Sequence, residues 1–94
     1  MNKTNEEELK KFAEAIKVNY HLVRAKSKLI DKIKAECKSR SISQRGLAKL
    51  VPGLTHDRIS KIFNGQVGHM TVDKLVEILG ALGIQTELSF KKVA

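Results

Sequence analysis

At 94 residues, 30% of them charged and 4% aromatic, the chain has room for one small domain, without the long apolar runs of a membrane protein or the stacking side chains of a single-strand binder. A core of this size is marginal unless association with another chain adds buried surface. The net charge of +8 is unevenly placed: residues 17–64 hold 12 Lys/Arg against 3 Asp/Glu, the electrostatic footprint of a domain that meets a polyanion.

The chain opens with Thr4-Asn5-Glu6-Glu7-Glu8, a helix start in which Asn5 and Glu8 fit a capping box and the acidic run suits the positive end of the helix dipole. Leu9, Phe12, Ala13 and Ile16 follow at helical spacing. Val18-Asn19-Tyr20-His21 reads as a break, so residues 1–21 are expected to form a separate N-terminal helical extension. A short amphipathic helix is marginal alone in water. Two fates are open to it: packing on the helix that follows, or docking on a partner through Leu9, Phe12 and Ile16.

A second helical period runs from Leu22 to Ser39, with Leu22, Ala25, Leu29, Ile33 and Cys37 on one face, Ile30 widening it, and lysines over the rest. Ile42 is an expected buried residue in the connection that follows.

Ser43 to Gly65 reads as two short helices joined tightly. Ser43 caps the first, whose Leu47, Leu50 and Val51 are expected inside. Val51-Pro52-Gly53-Leu54 breaks it, since proline disfavours the helical conformation before it and glycine tolerates positive φ. Thr55 caps the second helix, Ile59, Ile62 and Phe63 form its buried face, and Asn64-Gly65 ends it. Its outward face carries His56, Asp57, Arg58, Ser60 and Lys61, the apolar-inside, polar-outside division of a helix that reads a groove.

The loop Gln66-Val67-Gly68-His69-Met70 is either a plain turn or an approach of backbone amides to a phosphate. Thr71 caps a further helix with Val72, Leu75, Val76, Ile78, Leu79 and Leu82 inside, ended by Gly83. Ile84, Thr86, Leu88 and Phe90 then alternate with Gln85, Glu87 and Ser89, the period of a half-buried strand. A lone strand needs a second one to satisfy its backbone, so these four residues are expected to pair with the same strand of a second copy.

Catalysis is not indicated. His56, Asp57 and Ser60 hold the letters of a triad, but neighbours on a helix point about 100° apart and do not orient one another. His21, Cys37, His56 and His69 lie in four segments without metal-ligand spacing, and no nucleotide-binding glycine motif occurs, so neither metal nor cofactor is expected. A single cysteine excludes an internal disulfide, and with no signal peptide the expected setting is the cytoplasm.

The order S-Q-x-x-L-A-K-L, T-x-x-R-I-S-K-I-x-x-G and M-T-V-D-K-L-V-E-I-L-x-A-L-G-I, over about Leu29 to Lys91, resembles the lambda-repressor-like, XRE-type helix-turn-helix regulators, and within them the HigA-type antitoxins. The chain departs from that pattern in a turn one residue longer at Val51 to Leu54 and in Gly46, where a helix former is usual. The resemblance implies an all-α helix-turn-helix domain over residues 22–83 and a dimerising C-terminal β-strand over 84–94. It implies a dimeric repressor binding a double-stranded operator, with Gln44 on a phosphate and bracing the second motif helix. Arg45, Thr55, His56, Asp57, Arg58, Ser60 and Lys61 complete the expected contact set. It further implies the antitoxin of a type II pair, with a basic RelE- or HigB-like toxin as partner. A stand-alone phage or plasmid regulator, or an adaptor that has lost DNA binding, are the alternatives.

Overall fold

The computed structural model describes residues 6–92, with side chains from residue 19 onward. Four α-helices follow one another: α1 (Glu6–Ser39), α2 (Gln44–Leu50), α3 (His56–Phe63) and α4 (Val72–Ala81), with a 3₁₀ turn at Val67–His69 between the last two. The Asn5–Glu8 capping box lies outside the described residues, as do the side chains of Leu9, Phe12 and Ile16.

The expected break at Val18 to His21 is absent, and α1 runs unbroken for 34 residues. Asn, Tyr and His are weak helix formers that cost only a few tenths of a kcal/mol each relative to the good formers around them, whereas Gly or Pro would be needed to stop the helix. At 1.5 Å per residue α1 is about 50 Å long, which accounts for the 55 Å longest dimension of the chain. Packing of the N-terminal stripe back onto residues 22–39 is thereby excluded, because both belong to one rod. All side chains from Asn19 to Ala25 are exposed, including Leu22, expected inside; among the described side chains the first buried one is Ile30.

Three capping hydroxyls are as expected. Ser43 accepts from the Gly46 amide at 3.0 Å, Thr55 from that of Arg58 and Thr71 from that of Lys74, both at 3.2 Å. α3 and α4 each end in the paired backbone bonds of a Schellman motif, with Gly65 at φ +93° and Gly83 at φ +79°. α1 ends the same way with Ser41 in the glycine position at φ +56°.

The core gathers Ile30, Ile33 and Cys37 from α1, Leu47, Val51 and Leu54 around the motif turn, Ile59 and Ile62 from α3, Met70, and Leu75, Ile78, Leu79 and Leu82 from α4. α4 packs mainly on α1, while α2 packs on α3. Ile42 and Phe63 are half-buried against this core. Leu50, expected inside, is exposed, since α2 has only seven residues and Leu47 and Val51 already occupy its inward face. The buried Cys37 thiol has its pKa pushed up by that burial, against a smaller opposing pull from Arg40.

The expected C-terminal strand does not form: among the described residues there is no strand, and the chain from Ile84 to Lys92 is irregular. Alternation places side chains but supplies no ladder, and no second strand stands beside this segment to pair with it. The alternation survives only as packing. Ile84 and Thr86 lie against α1 and α4, whereas Leu88 and Phe90 are 77% and 93% exposed.

Candidate nucleic-acid interface

α3 is placed by its own pattern. Ile59 and Ile62, three apart, are fully buried and fix which side faces away. That leaves Thr55, His56 and Asp57 exposed at its start, with Arg58, Ser60 and Lys61 half-buried along its outer side. Gln44, at the first turn of α2, is half-buried and Arg45 beside it is exposed. The residues expected to touch DNA thus divide between the first turn of α2 and the outer side of α3, two packed helices.

Four of them are already engaged, Thr55 as the cap of α3 and Asp57, Arg58 and Lys61 in contacts of their side chains. Lys61 Nζ lies 3.0 Å from Asp57 Oδ2, one helical turn away. Such an exposed pair is worth about 0–1 kcal/mol, so it holds the lysine in place without removing it from use. It also gives the carboxylate a partner on the face that carries it. Arg58 Nη2 donates to the His69 carbonyl at 3.2 Å, tying α3 to the 3₁₀ turn. Lys26 Nζ of α1 donates to the Val67 carbonyl of the same turn at 3.4 Å.

The connection between α2 and α3 is a β-turn, with the Leu54 amide donating to the Val51 carbonyl at 3.1 Å. Pro52 at its second position and Gly53 at φ +78° at its third are the signature of a type II turn. Val51 and Leu54 anchor both ends in the core. Lys74 Nζ of α4 donates to the Pro52 carbonyl at 3.2 Å and pairs with Glu77 at 3.1 Å, so the longer connection is pinned from outside the motif. Lys34 places its ammonium 5.7 Å from the Phe63 ring centroid at the far end of α3.

These cation-to-carbonyl ties were not foreseen from the sequence. They join residues 41, 11 and 22 positions apart, and no local signal announces them. Asp57 pairs with Lys61 and not with His56, and among the described residues no three His, Cys, Asp or Glu side chains gather as a metal site would require.

A family model described as a helix-turn-helix domain matches residues 12–91. The chain belongs to the helix-turn-helix domain family. The match takes in most of α1 and the C-terminal segment as well as the α2–turn–α3 unit, so the long helix and the tail are part of the family's domain. No curated protein and no solved structure matches the chain. As a helix-turn-helix domain it is a DNA-binding regulator. No helix among the described residues is long and apolar enough to cross a membrane.

Proposed function

We infer that this helix-turn-helix domain is a sequence-specific repressor, and that it is the antitoxin of a type II toxin–antitoxin pair acting on its own operon. The observation that carries the repressor reading is the outward face of α3, His56 to Lys61, set on a buried Ile59–Ile62 seam within the most basic part of the chain. Thr55, His56, Ser60 and Lys61 reach the base edges in this reading, Gln44 and Arg45 hold the phosphate backbone, and Arg58 positions α3 through its bond to His69. Two copies related by a two-fold axis would set their α3 helices about 34 Å apart, one turn of duplex.

The antitoxin reading draws on the resemblance to HigA-type sequences and on α1. Its N-terminal half carries Leu9, Phe12 and Ile16 at helical spacing beside Glu6 to Glu8, and the helix begins 24 residues before Ile30, the first residue of the described core. An apolar stripe flanked by carboxylates suits a groove on a basic toxin. Removal of residues 1–19 tests this part: toxin neutralisation is lost while operator binding persists, and neutralisation that survives the truncation removes the toxin assignment. A neighbouring reading frame for a small basic RelE-like protein is the expected genomic context.

A further inference from the structure

A slot of about 460 Å³ runs between α1, α4 and the tail that follows Gly83. Leu29, Val72, Val76 and Ile84 give it an apolar floor. It adjoins a second hollow, of about 420 Å³, and the two share Ala25 and Lys28 as walls. Each has the volume of a small-ligand site, roughly 300–1,000 Å³. The second hollow is of the opposite character: His21, Arg24 and Lys28 stand one turn apart along α1, and Lys91 of the tail joins them. Three full positive charges from two elements thus line one space. Among the described residues no carboxylate pairs with Arg24, Lys28 or Lys91, whereas Lys32, Arg40, Lys61 and Lys74 each have one. Arg24 is nonetheless held in place. Its guanidinium carbon lies 5.9 Å from the Tyr20 ring centroid, and its Nη1 donates to the Tyr20 hydroxyl at 3.5 Å.

Like charges gathered without a counter-charge repel one another, and an anion set among them relieves that repulsion. Bare apolar floor gains from an aliphatic body that takes it out of water. Either hollow alone would accept any anion or any apolar group; side by side, they select a molecule that carries both. We propose that the two hollows form one site for a monomeric long-chain carboxylate, its head among Arg24, Lys28 and Lys91 and its alkyl chain on Leu29, Val72, Val76 and Ile84. The direction of entry is fixed by charge. Glu87, the one carboxylate among the lining residues, belongs to the slot and not to the cationic hollow, so it disfavours the head anywhere but between the cations. The brace on Arg24 sets its guanidinium before the ligand arrives, which lowers the ordering cost of binding. The site shares no residue with the α3 face and stands whether or not that face reads DNA.

Isothermal titration of the full chain with sodium decanoate, held below its micelle-forming concentration, tests the site. Two probes run beside it: decyltrimethylammonium, with a comparable chain and the opposite head, and acetate, with the head alone. Decanoate should bind one to one and the other two should not. From octanoate to decanoate the affinity should rise about two- to fourfold for each added methylene, as burial of alkyl surface requires. The Arg24→Glu/Lys91→Glu double variant should weaken decanoate about tenfold. Both positions are exposed, so a melting curve matching that of the natural chain shows the loss to be one of binding and not of folding. Val76→Glu should abolish the dependence on chain length. Absence of decanoate binding at millimolar concentration, equal binding of the cationic probe, an affinity indifferent to chain length, or a double variant that binds unchanged would overturn the proposal. Association with vesicles of anionic lipid while monomeric decanoate is ignored would overturn it as well, and would mark the cations as a membrane-facing patch instead.

Discussion

Ser41 occupies the left-handed position that ends α1, at φ +56°, where α3 and α4 use Gly65 and Gly83. A side chain there strains the backbone, and glycine does not. Ser41→Gly should therefore raise unfolding free energy by about 0.5–1 kcal/mol in a denaturant titration, whereas glycine in a helix interior would lower it by a similar amount. Cys37 behaves as a core residue. With its thiol buried and its pKa raised, it should resist alkylation at neutral pH in the folded chain and react promptly in denaturant, a contrast that mass spectrometry reads directly. Arg58 and Lys61 separate by role. Lys61→Ala should cost operator binding about 1–3 kcal/mol if the side chain reads a base, or lower the salt slope by about one if it holds a phosphate. Arg58→Ala acts by releasing the 3₁₀ turn from α3, so Arg58→Lys, which keeps a donor on that side, should recover part of the loss.

Among the elements, those marked by short-range chemistry were legible. The caps at Ser43, Thr55 and Thr71 and the stops at Gly65 and Gly83 each depend on residues within five positions, and the structure uses every one of them. The two misread elements failed for physical reasons of opposite kind. At Val18 to His21 a run of weak helix formers reads as a breaker, although nothing in it removes a backbone bond. From Ile84 to Phe90 an alternating pattern reads as a strand, although periodicity cannot supply the neighbour that a strand requires. The interface on α3 was legible as a face; the engagement of its arginine with the His69 carbonyl was not, since it closes only when the 3₁₀ turn folds beside the helix. The motif turn shows the same limit. Its extra residue is visible in the sequence, but the Lys74 bond to the Pro52 carbonyl that holds it is a tertiary contact. Lys74→Met should leave helicity unchanged and weaken operator binding several-fold, with Lys74→Arg restoring part of it, measured by circular dichroism beside fluorescence anisotropy.

For the molecule as a whole, the described core starts late in α1. Ile30 is the first residue of the chain in the described core, and Asn19 to Ala25 are exposed throughout. Removal of residues 1–19 should accordingly leave the melting temperature within about 2 °C, whereas a stripe packed on the core would cost about 1.5–3 kcal/mol for each large side chain lost and several degrees. The positive charge concentrated in residues 17–64 bears on the partner, not on the fold. Its consequence is counterion release from duplex DNA, which makes affinity fall steeply with salt. The most direct test is therefore fluorescence anisotropy of the full chain on a duplex from upstream of its own reading frame, titrated across salt, beside the Arg58→Ala/Lys61→Ala double variant. The dissociation constant should be on the order of 10⁻⁸ M or tighter at physiological salt, rise steeply with ionic strength, and rise at least tenfold in the double variant. Binding that is indifferent to salt, or a double variant that shifts the duplex at unchanged concentration, would contradict the assignment of the α3 face to DNA.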